Sequence, residues 1–221
     1  MALNADRDGG HRAPEDTTAR PPDGDTSIDG RQLRRKRNRE AVVEALLDLY
    51  RDGNLRPSTE EIATRSGLSP RSLFRYFEDV DDLTRSAVMR QEARAMPLVA
   101  IDAGPEETLE KRIGALVDQR FRLFDAVGHA AAVTRLRAPF QPLLAAELSQ
   151  NRRFLRSQVS SLFAPELANM DERRSAATLA GVDILTSFES YQLLTEDRSM
   201  ESSAARTVVI DALSALFGPL P

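Results

Sequence analysis

Residues 66–83, SGLSPRSLFRYFEDVDDL, set Arg71, Arg75 and Tyr76 close together beside Ser69 and Ser72. A guanidinium can satisfy two acceptors at once, on a phosphate or on a guanine edge, and hydroxyls can donate to phosphate oxygens. A hydrophobic core needs none of these groups. A surface made to meet something negative needs all of them. A second run, RQLRRKRNR (31–39), carries Arg31, Arg34, Arg35, Lys36, Arg37 and Arg39 and no acid. Taken alone, each set is also what a solvated helix face looks like.

Other chemistries find little to work with. The chain has no cysteine, so there is no thiol nucleophile, thiolate metal site or disulfide. It lacks H-E-x-x-H, a glycine-rich phosphate loop and the E-x-x-H pairs of a di-metal helical bundle. The histidines are His11 and His129. The expectation is therefore a non-enzyme with no cofactor and no metal.

The elements that would position these groups read as helices throughout. From about Leu33, the residues Val42, Val43, Ala45, Leu46, Leu49 and Tyr50 recur at helical spacing, and Gly53 ends the helix. A basic cluster opposes the dipole at a helix N-terminus, which argues for a start as late as Arg37. Ser58 and Glu61 form a capping box ahead of Ile62 and Ala63, and Gly67 stops that helix. Ser69 and Pro70 open a short third helix running to about Tyr76. On it Ser69, Arg71, Ser72 and Arg75 face outward, while Leu68, Leu73, Phe74 and Phe77 anchor inward. Asp79 caps a fourth helix that closes before Pro97. Further helices are expected from Thr108 to Val127 with a break at Gly128, from His129 to Leu136, from Pro139/Pro142 to Phe163, from Asp171 to Leu194 and from Ser199 to Phe217. No strand is expected, so the fold class is all-α.

Net charge is −4 over 221 residues, but the first 30 hold seven acids and three arginines and account for that excess. They are poor in large apolar side chains and read as a disordered tail. Local field matters more than net charge for binding phosphates. No apolar run is long enough to span a membrane and the N-terminus has no secretory h-region, so no membrane partner and a cytoplasmic location are expected.

Two short helices joined by the SGLS corner after a longer helix outline a helix-turn-helix, whose second helix enters the major groove. From Arg39 to Leu83 the chain resembles the DNA-binding domain of TetR-family transcriptional regulators. The resemblance rests on I-A-x-x-x-G-L-S, the short helix ending in L-F-x-Y-F, and the aspartate–leucine opening of the next helix. It implies an N-terminal DNA-binding domain (31–83) and a larger helical ligand-binding and dimerisation domain (84–221), behind the tail (1–30). The implied DNA contacts are Arg35, Lys36, Arg37, Ser58, Thr59, Ser69, Arg71, Ser72, Arg75 and Tyr76. Ser58 and Thr59 also serve as helix-capping residues.

The resemblance further implies a homodimer reading a palindromic double-stranded operator, with a repressor as the expected form and an unknown small molecule as effector. Aromatic and polar residues in the larger domain are candidates for the ligand pocket: Phe121, Phe124, His129, Phe140, Phe154, Phe188 and Tyr191. Dimer candidates on the last two helices are Ala177, Ala180, Gly181, Ile184, Val208, Leu213 and Leu216. Two departures stand out. Phe74 replaces a common tyrosine, losing a hydroxyl donor, and Val80 replaces a common lysine within the acidic FEDVDDL. They leave open an alternative, a helical adaptor or ligand-binding protein with weak or lost DNA binding.

Overall fold

The structure, a computed structural model, describes residues 25–218, with side chains from Gly30 onward. Residues 1–24, most of the expected tail, lie outside the described residues. The described chain is helical, with no strand among the described residues. It falls into two units, up to Arg37 and from Asn38 onward.

Helix α1 spans Asp25–Arg51, so it begins well before Leu33. The dipole argument for a late start fails because the basic run is not at the N-terminus. The helix opens at Asp25, two turns ahead of Arg31. In the first unit, the described residues of α1 expose Arg31 through Arg37 without a break.

In the second unit, α1 continues with Val42, Val43, Leu46 and Tyr50 buried. Helix α2 (Thr59–Ser66) opens on the expected capping box: the Glu61 N–H donates to Ser58 Oγ at 3.2 Å, and the Ser58 N–H donates back to Glu61 at 2.7 Å. Gly67 closes it with φ +69°, a left-handed conformation that suits glycine. Helix α3 is a single turn, Pro70–Leu73, shorter than expected, and hydrogen-bonded turns carry the chain on to Phe77. Helix α4 (Val80–Ala95) is capped by Asp79, and a 3₁₀ turn, Met96–Leu98, follows.

Helix α5 (Leu109–Arg137) bends sharply at Gly128, where φ is +23° and ψ −110°. Helix α6 covers Pro142–Leu162, α7 Ala164–Ala168 and α8 Glu172–Leu185. The single helix expected from Asp171 to Leu194 is in fact broken. Ser187 turns extended and its side chain accepts the Ser190 N–H at 3.1 Å, starting α9 (Phe188–Gln192), which runs into a π turn, Leu193–Asp197. A serine able to cap competes with the helix it interrupts. Helix α10 spans Ser202–Phe217, starting later than Ser199, whose φ is +49°. No helix among the described residues is long and apolar enough to cross a membrane.

Three apolar clusters hold this unit together. The first joins α1, α2, α3 and the start of α4, and takes in Ala130 and Val133 from beyond the α5 bend. The second packs α5, α6, α8 and α10 around Leu116, Val117, Phe163 and Leu213. The third, Ala95, Leu123, Phe124 and Phe188, ties the end of α4 to α5 and α9.

Candidate nucleic-acid interface and ligand cavity

The SGLS corner sets α3 on the first cluster by burying Leu73 and Phe77, both 3% exposed. Ser69 caps it, accepting the Ser72 N–H, and its hydroxyl lies 2.9 Å from that of Ser72. Arg71 and Arg75 are exposed, and neither forms an ion pair among the described residues. Ser58 is exposed and Thr59 half-exposed at the start of α2. Tyr76 is half-buried against the first cluster, and its hydroxyl accepts a hydrogen bond from Asn38 Nδ2 at 2.8 Å. That bond fixes the ring and leaves the phenolic proton free to donate.

Phe74 corrects the expectation of an inward anchor: it is 53% exposed. Leu73 and Phe77 already fill the inward positions of so short a helix, so the ring between them points away. The acidic FEDVDDL segment is also less of an obstacle than its composition suggests. Asp79 accepts the Asp82 N–H at 2.7 Å, Asp82 accepts the Glu78 N–H and pairs with Arg85 at 2.8 Å, and Asp81 pairs with Arg137 at 2.9 Å. These aspartates cap α4 or are neutralised.

The basic run divides. Arg35, Lys36 and Arg37 are exposed in the first unit. Arg39, in the second, donates to Ser86 Oγ at 2.8 Å and lies over the Phe77 ring at 4.7 Å, which makes it a packing residue as much as a free cation.

A cavity of about 290 Å³ opens between α4, α5, α6 and α9. Leu123, Phe124, Phe154 and Phe188 give it an apolar wall, and Glu92, Asn151, Arg135 and Arg152 supply its polar groups. Of the seven pocket candidates it brings together only Phe124, Phe154 and Phe188. Phe121 and Tyr191 pack edge to face with each other at 5.4 Å, outside the cavity wall. Burial, then hydrogen bonding to Asp125, pushes the Tyr191 phenol up to about 12. His129 is exposed and Phe140 is 83% exposed, because both sit past the bend or in the turn before α6.

Sequence reasoning missed Glu92, Asn151, Arg120 and Arg135. A signal for Glu92 existed: it falls on the Val88–Glu92–Ala95 stripe of α4, whose other members are buried. Beside the cavity a groove of about 560 Å³ carries Arg120, Arg135, Arg152 and Arg156 with Asp183 and Glu189. Burial alone would raise the Glu189 carboxyl, but Arg135 and Arg152 hold it down at about 2. Burial lowers Arg120 to about 10, against the pull of Asp183.

The dimer candidates also separate. Ala177, Ala180 and Ile184 (66% exposed) share an outer face of α8, and Val208 is exposed on α10. Leu213 is fully buried within its own chain, and Leu216 packs on Gly181, where a Cβ would come within 2.9 Å of its Cδ1. Leu213 therefore serves the packing within its own chain, while Gly181 and Leu216, in contact with each other between α8 and α10, stay half-exposed.

No family model matches the chain, and no curated protein matches it in sequence. Solved structures do. A transcriptional regulator from Rhodococcus sp. Rha1 superposes with a TM-score of 0.59 at 17% identity, covering 80% of this chain and 95% of that one. A TetR transcription regulator from Haloarcula marismortui gives 0.54 at 18%, covering 80% and 97%. The multidrug binding protein EbrR, complexed with imidazole, gives 0.51 at 19%, covering 85% and 96%. The chain shares the all-helical fold of these regulators, with the helix-turn-helix at its N-terminal end.

Proposed function

We infer that the protein is a homodimeric DNA-binding transcriptional regulator, a repressor in form, whose operator affinity is set by a small molecule in the cavity between α4, α5, α6 and α9. The observation that carries this is the pair of exposed guanidinium groups, Arg71 and Arg75, held by a capped corner and in no ion pair among the described residues. Free arginines on a helix anchored from behind suit the major groove. Ser58, Thr59, Ser69, Ser72 and the free Tyr76 proton suit flanking phosphates, and Arg35, Lys36 and Arg37 add phosphate contacts of their own. The fold shared with known regulators agrees with this reading.

The linkage follows from packing. The cavity wall includes Val88 and Ala95 of α4 and Ala130 of α5, and Ala130 also belongs to the core beneath α3. A ligand that prefers one setting of α4 and the α5 bend shifts operator binding by its differential affinity for the two settings. Binding of the purified protein to its own upstream DNA, measured by gel shift at two salt concentrations, tests the proposal. Each neutralised phosphate adds about −0.9 to the slope of log K against log salt. A result with no binding at either salt would favour the adaptor reading.

Two substitutions probe the parts. Phe74→Tyr restores a hydroxyl beside the DNA face and should raise affinity for operator and random DNA alike, by roughly fivefold if one phosphate bond worth about 1 kcal/mol is gained. Ile184→Glu puts a charge on the outer α8 face and should convert the dimer to monomer in sedimentation without loss of helix content. A dimer unchanged by it would move the interface elsewhere.

A further inference from the structure

We propose that the cavity takes a cationic, largely apolar small molecule, its positive centre held between Glu92 and Glu147 and its body against Phe124, Phe154 and Phe188. The proposal rests on the reading of this cavity as the effector site and names the chemistry of the effector.

Glu92 stands on an otherwise buried stripe of α4, yet has no cationic partner among the described residues. Its contacts are Asn151 Nδ2, which donates at 2.7 Å, and the carboxyl of Glu147 within hydrogen-bonding reach. The basic residues of the same helix are committed elsewhere: Arg85 to Asp82, and Arg90 and Arg94 to the Glu40 and Glu44 carboxylates. Across the cavity Arg135 and Arg152 share Glu189. Among the described residues, then, two carboxyls face each other with no positive charge assigned to them.

Spaces converge on this pair from both sides. Glu92 lines the 290 Å³ cavity, Glu147 lines a neighbouring one of about 350 Å³, and Val88 and Gln150 border both. Two like charges at a half-buried partition are unfavourable unless a proton or a cation lies between them. Without a ligand the proton does this: burial first, then Glu147, raises Glu92 to about 7. A quaternary or aromatic cation would replace that proton, restoring both charges. The aromatic wall suits it, since ring faces attract desolvated cations. A metal ion fits less well, as no group of three acidic or histidine side chains placed to hold one occurs among the described residues.

The test uses the full chain with three dyes: thioflavin T, a planar cation; its uncharged benzothiazole analogue; and the anion 1-anilinonaphthalene-8-sulfonate. Thioflavin T should bind at least about tenfold more tightly than the neutral analogue. Glu92→Gln, and separately Glu147→Gln, should remove that advantage and leave the neutral dye unchanged, with the melting temperature showing that each variant folds. Because the cation displaces a proton, its affinity should fall about fivefold between pH 7 and pH 6, level off above pH 8, and lose this dependence in Glu92→Gln. Equal binding of cation and neutral dye, tighter binding of the anion, or indifference to both substitutions overturns the proposal. Thioflavin T binding through Glu92 without any change in operator affinity would uphold the cation site and overturn the effector reading. Operator release by the neutral or anionic dye alone would do the reverse.

Discussion

Arg75→Ala lowers affinity for a specific operator roughly tenfold to a hundredfold and affinity for random DNA far less. The size follows from the chemistry: one guanidinium paired with a guanine edge discriminates against a wrong base by about 1–3 kcal/mol. It should appear in full because Arg75 is exposed and forms no ion pair among the described residues, so substitution removes none of those bonds and none of them competes with DNA. Arg71→Ala is expected to behave in the same way. The measurement is a titration of wild type and variant against a duplex selected by the purified protein from genomic DNA, and against a scrambled duplex. Equal losses on both duplexes would make Arg75 a phosphate contact. No loss on either would remove α3 from the interface.

Glu166→Ala destabilises the protein by about 3 kcal/mol, the low end of the cost of leaving a buried charge without its partner. Arg112 is buried, 3% exposed, and its guanidinium reaches Glu166 at 2.5 and 2.7 Å, the Leu162 carbonyl at 2.8 Å and the Glu107 carbonyl at 3.0 Å. Glu166 keeps some access to solvent, which holds the cost to the low end. For a chain of this length the loss corresponds to about 6–12 °C in melting temperature.

The pH dependence has a definite sign. The Arg112 guanidinium, through its hydrogen bonds, holds the Glu166 carboxyl below the ordinary carboxylate range. A depressed folded value stabilises the protein above the unfolded value and ceases to as pH falls through the folded one. The gap between wild type and Glu166→Ala should be full at pH 7 and shrink as the solution is acidified below pH 4. Melts at pH 7 and pH 3.5 would show it. A gap independent of pH would mean that Glu166 acts by packing alone.

Much of the helix-turn-helix end was legible in the sequence because its signals are local. Ser58 with Glu61, Gly67, Ser69 with Pro70, and Asp79 act within one turn of themselves, and all stand where their types predict. The same local logic overreached at Phe74. Apolar character says that a side chain prefers burial, but α3 has room inward only for Leu73 and Phe77. It overreached at Asp171–Leu194 as well, where small helix-tolerant residues hid a serine that caps a new helix.

The candidate pocket was only partly legible. Aromatic type alone does not separate Phe124, Phe154 and Phe188, which line the cavity, from Phe121, Tyr191 and Phe140, which do not. Which ring faces empty space depends on how α4, α5, α6 and α9 cross. Leu213 shows the same limit for the dimer face: its helix has both an inner and an outer apolar side, and only packing on α8 decides which is which.

By itself, then, the sequence determined that the chain is all-helical, where a short helix would follow a capped corner, and which arginines that helix would carry. Caps, glycine stops and helical periodicity are short-range physics. Only the tertiary structure decided that Arg71 and Arg75 are in no ion pair among the described residues while Asp81 is paired with Arg137, and that Glu92 meets Glu147 between two cavities. The reason is that charge pairing and empty volume belong to residues far apart in the chain, and no local preference encodes them.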